Sequence, residues 1–126
     1  MDKYMLLVRE DLQMKSKMSK EDFFKDIDEM SRWVQGLAQS GNYVDGEPLG
    51  PSGAFLDRNA VLSDGPFIES KEGVSGFITI LAENQAQANS IAQTCPMVAN
   101  GKVSLEIRPL VIWNDPLKNG RSATGA

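Results

Sequence analysis

VSGFITIL, residues 74–81, decides the fold. Its centre, FITIL, presents aromatic, β-branched and leucine side chains on both alternating faces, the pattern of a strand covered on two sides. Both faces of a strand of that kind need cover, from the flanking chain or from beyond it.

Downstream, NQAQANSIAQTCP reads as a helix with Asn84 as N-cap and Pro96 as terminator. Ala88, Ile91, Ala92 and Cys95 form its buried stripe. A last strand is expected from Lys102 to Trp113, where Val103, Leu105 and Ile107 alternate with Ser104, Glu106 and Arg108. Upstream, strand pieces are expected at Ala54–Leu56 and Ala60–Ser63 about a turn at Asp57-Arg58-Asn59. Before them come an irregular loop through GEPLGPSG and a short strand near Tyr43–Val44. Ser19 opens a long amphipathic helix that Gly41 stops. Phe23, Ile27, Met30, Val34 and Leu37 recur at helical spacing, widened by Phe24, Trp33 and Ala38, and Asp28 precedes Arg32 by one favourable i,i+4 step. DLQMKSKM, residues 11–18, reads as a polar loop, and Tyr4–Val8 as the first strand.

The order is β-α-β(β)-β-α-β, an α+β, ferredoxin-like fold with an antiparallel sheet and two helices on one face. FITIL and the closing LVIW remain apolar on the other face, where each large side chain is worth about 1.5–3 kcal/mol on burial. With no third helix to cover them, a second copy is the expected partner, so the chain is expected to be a homodimer. Residues 1–113 are expected to form one domain and 114–126, small and polar, a flexible tail.

Composition narrows the function. A net charge of −4 and no basic cluster argue against a nucleic-acid surface. The apolar run at the start is too short for a signal-peptide core or a membrane span, so a cytoplasmic protein is expected. The chain has one cysteine and no histidine, which removes any intramolecular disulfide, cysteine-based metal clusters and every imidazole base or ligand. No metal and no cofactor are expected.

The segments KYMLLV (3–8), GEPLGP (46–51), DGPFIESKEGVSGF (64–77), CPMV (95–98) and LEIRPL (105–110) together resemble the YCII-related family, in its DGPF branch. The resemblance implies a dimeric α+β barrel built from ferredoxin-like subunits. It also implies a His–Asp pair as the catalytic group, in a family that includes a chlorohydroquinone dehydrochlorinase. This chain has no histidine, so that route does not carry over.

DGPF-x-E-x-KE has a structural reading as a hairpin and a solvated ion-pair face. Its functional reading has Asp64 and Glu69 facing a pocket, with Lys71 orienting an anionic ligand. Arg108 is either an ion-pair member in the last strand or a fork for a carboxylate or phenolate. Trp33 and Tyr43 are aromatic core or, alternatively, a pocket wall, and Cys95 is expected to be buried and inert. Two function classes follow: a homodimeric module binding a small anionic or aromatic molecule, preferred, and a lyase or isomerase with Asp64 or Glu69 as carboxylate base.

Overall fold

A computed structural model describes residues 1–50, 53–59, 61–63 and 73–111. Strand β1 (Asp2–Glu10) leads into a short helix α1 (Leu12–Ser16) and a long helix α2 (Lys20–Gln39). Strands β2 (Tyr43–Pro48), β3 (Ala54–Leu56), β4 (Val61–Ser63) and β5 (Gly73–Ala82) follow. Helices α3 (Gln85–Gln93) and α4 (Pro96–Ala99) then precede β6 (Ser104–Pro109). The result is an α+β fold on a four-stranded antiparallel sheet of order β2-β5-β1-β6, with β3 and β4 paired separately.

FITIL lies in the inner strand β5, hydrogen-bonded to β1 on one side and β2 on the other. The register sorts its side chains. Tyr4 opposes Ile80 and Leu6 opposes Ile78, and all four are buried in one cluster with Leu37 of α2 and Ala88 and Ala92 of α3. Leu105 and Ile107 join that cluster from β6. Both long helices therefore cover the Tyr4 face. Met5, Leu7, Phe77 and Leu81 alternate onto the opposite face, left open by the described helices, where they are half-buried.

Local signals explain the helix ends. The Ser19 hydroxyl accepts from the Asp22 N–H at 3.1 Å, and Asn84 Oδ1 accepts from the Gln87 N–H at 2.9 Å. At the other end of α2, Gly41 adopts φ 81°, which lets the Asn42 N–H reach back to the Leu37 carbonyl at 2.9 Å. The Asp28–Arg32 pair closes at 2.8 Å. The expected turn at 57–59 is held by the Asn59 N–H donating to Asp57 Oδ1 at 2.7 Å.

Several expectations are corrected. Residues 11–18 are not a plain loop, because the Asp11 carboxylate accepts from the Met14 N–H and caps α1. Strand β2 runs on to Pro48, since as an edge strand it tolerates a proline without an N–H to donate. Pro96 does not end α3, which stops at Gln93; it occupies the first turn of α4, where its missing N–H costs nothing. Cys95 is consequently the N-cap position of α4 as well as the residue past α3. The last strand ends at Pro109, leaving Leu110 and Val111 exposed beyond it. Ile112, Trp113 and the tail lie outside the described residues, as does Ala60.

Candidate functional site

The apolar stripe of α2 does not all reach the sheet. Leu37 is buried and Met30 and Val34 pack on the core, but Phe23 and Ile27 are 37% and 45% exposed, and Phe24 points away at 63%. Between the N-terminal half of α2 and the sheet lies an open, mainly apolar cleft of about 430 Å³. Phe23, Ile27, Met30, Val34, Tyr43 and Ile78 line it. That volume lies within the ~300–1,000 Å³ range of small-molecule sites.

One end of the cleft is polar, and a β-bulge makes it so. Val8 pairs with Gly76 and Arg9 with Val74, so Ser75 is an extra residue with no partner on β1. Such a bulge turns its side chain out of the regular alternation. The Ser75 hydroxyl, buried, donates to Glu10 Oε2 in a very short contact. Lys15 Nζ donates to the same oxygen at 3.4 Å, with the Glu10 side chain only 15% exposed. Both contacts fall on Oε2, and neither engages Oε1. Glu10, Lys15 and Ser75 all line the cleft.

Helix α1 positions the lysine. Its Asp11 cap starts the turn that brings Lys15 back over Glu10, and Leu12 seats directly on Gly73, where a Cβ would come within 2.5 Å of Leu12 Cδ1. A second carboxylate, Asp26 of α2, reaches the cleft but is bonded to Lys102 Nζ at 2.7 Å. That hydrogen bond, followed by the Asp26 charge, raises the Lys102 pKa.

Of the residues singled out from the sequence, Tyr43 lines the cleft and packs on the core. Trp33 is a core aromatic shared by two apolar clusters, its indole N–H donating to Thr94 Oγ1 at 2.8 Å. Arg108 stands elsewhere: it opposes Met5 and so projects from the open face, remote from the Tyr43 side. There Arg108 Nη1 and Arg9 Nε each donate to Glu106 at 3.0 Å. The Arg108 hydrogen bond, then that of Arg9, lowers the Glu106 pKa. Asp64, Glu69 and Lys71 lie outside the described residues. Cys95 is fully buried with its Sγ 3.7 Å from Met30 Sδ; burial raises its pKa and outweighs the backbone N–H groups of Val98 and Met97 that lower it.

Glu10, Lys15 and Ser75 were not singled out from the sequence. Strict alternation puts Ser75 on the Phe77 face; only the bulge brings it to Glu10. Among the described residues, no three metal-ligating side chains gather into a cluster, and no helix is long and apolar enough to cross a membrane.

Fold and site thus define an α+β domain with a small-molecule-sized apolar cleft and a carboxylate at one end. The YCII-related domain family matches residues 3–114, and the chain belongs to that family. No curated protein matches it.

Proposed function

We propose that this protein is a small-molecule-binding module of the DGPF branch of the YCII-related family, and that its ligand occupies the cleft beneath α2. The observation that carries this reading is the cleft itself: about 430 Å³, apolar along its walls, and ended by Glu10, Lys15 and Ser75. Leaving Phe23 and Ile27 uncovered forfeits about 1.5–3 kcal/mol per fully buried side chain, which an apolar ligand recovers. The DGPF-x-E-x-KE stretch immediately precedes Gly73 and Ser75 in the chain, which keeps Asp64, Glu69 and Lys71 as candidate contributors.

The wider reading is a cytoplasmic homodimer of ferredoxin-like subunits forming a dimeric α+β barrel. The strand order β2-β5-β1-β6 supports the subunit topology, and the half-buried Met5, Leu7, Phe77 and Leu81 on the face opposite α2 and α3 support the pairing. A lyase or isomerase reading keeps one specific support, a carboxylate facing an apolar cleft, and on this geometry Glu10 is the base to test beside Asp64 and Glu69.

A ligand-observed NMR screen of small aromatic and branched aliphatic compounds tests the binding reading. Hits are expected with the native chain and are expected to vanish in Ser31→Trp, which places an indole at an exposed position lining the cleft. Hits that persist in Ser31→Trp would move the site elsewhere. Asp64→Asn and Lys71→Met, run alongside, report whether the DGPF stretch contributes.

A further inference from the structure

We propose that the cleft selects an amine: a compact apolar or aromatic molecule whose ammonium group is held by Glu10 and Ser75. This deepens the binding reading above and rests on it.

Among the described residues, the charged types lining the cleft are three carboxylates, Glu10, Asp26 and Glu47, and one amine, Lys15. Lys15 already faces Glu10, and Asp26 is already bonded to Lys102. Glu10 keeps Oε1 outside both of its contacts, and a carboxylate only accepts hydrogen bonds. Ser75 spends its single proton on Glu10, so its Oγ offers the cleft only lone pairs. The polar end therefore presents acceptors at Oε1 and Oγ, fixed in place by a bulge and by a capped helix.

An ammonium group supplies three donors and a positive charge to such an end. A carboxylate ligand would meet Glu10, Asp26 and Glu47 with like charge, and Lys15, the one cation among the described lining residues, already faces Glu10. The Glu10 side chain is mostly withdrawn from water, which strengthens a charge-assisted hydrogen bond made there. Phe23 and Tyr43 add aromatic walls suited to a cation carried on an apolar body. The anionic ligand anticipated from Arg108 gains nothing from this cleft, because Arg108 belongs to the opposite face.

Calorimetric titration of the full chain with 2-phenylethylamine, 2-phenylethanol and phenylacetate separates the possibilities. The amine is expected to bind about tenfold more tightly than the alcohol, the scale of one hydrogen bond to a charged group, and phenylacetate more weakly than either. Glu10→Gln is expected to erase the amine preference while retaining alcohol binding. Lys15→Met removes the competing cation at a partly exposed position and is expected to tighten amine binding. Equal binding of all three probes, preference for phenylacetate, or loss of amine binding in Lys15→Met would overturn the amine assignment. If those probes are still displaced by Ser31→Trp, the cleft reading survives that failure. Absence of binding by every probe would overturn both.

Discussion

Cys95 illustrates how neighbouring atoms, rather than residue type, decide reactivity. It caps α4, a position where backbone N–H groups favour a thiolate, yet full burial dominates and keeps the thiol protonated. Native protein at neutral pH is expected to resist alkylation by iodoacetamide, with labelling appearing only in denaturant; rapid labelling of the folded chain would contradict this. Glu106 carries the opposite shift. Its carboxylate is favoured in the folded state by Arg108 and Arg9, so its stabilisation is present above the ordinary carboxylate pKa of about 4.3 and is lost as pH falls through the lower folded value. The melting temperature of Glu106→Gln is therefore expected to lie slightly below that of the native chain at pH 7 and to converge with it in acid, once Glu106 is protonated in the folded chain as well. Glu10 and Ser75 mark what residue-level reading cannot see. Their contact joins positions far apart in the chain and depends on one unpaired residue in β5.

Caps, stops and close strand contacts govern the elements. Ser19→Ala removes the acceptor for the Asp22 N–H and is expected to cost about 1 kcal/mol, measured by urea unfolding. Gly46 has a stricter requirement. A Cβ there would lie 2.7 Å from the Phe77 carbonyl oxygen, so β2 must shift away from β5. Gly46→Ala is expected to cost about 1–3 kcal/mol in the same assay, the scale of an overpacked site; an unchanged midpoint would refute that contact. The helix α2 was legible from Ser19, Gly41 and its apolar spacing, because capping and periodicity act over a few residues. The helix α1 was hidden because its residues lack a buried stripe, and its cap is a single aspartate in a polar run. Pro96 was legible as a break but not as a start, since a proline permits both and the following α4 is only four residues long.

At the scale of the molecule, the sheet has two unlike faces. One carries α2, α3 and the core; the other carries Met5, Leu7, Phe77 and Leu81 beside the Arg9–Glu106–Arg108 group. The proposed homodimer joins two such open faces. Sedimentation equilibrium at micromolar concentration is expected to give a dimer, and Leu7→Lys, a charge at the middle of that face, is expected to give a folded monomer. A native monomer would remove the proposal, and a dimer unaffected by Leu7→Lys would relocate the interface. The amino-acid sequence by itself determined the long helix α2, the strand at FITIL, the family and the absence of imidazole chemistry, because these depend on composition, motifs and short-range periodicity. Only the tertiary structure decided which polar groups meet. The β5 bulge rotates Ser75 to the helix side, α1 carries Lys15 over Glu10, and α2 stands off the sheet at its first turns, so the cleft exists through packing geometry that no local pattern encodes.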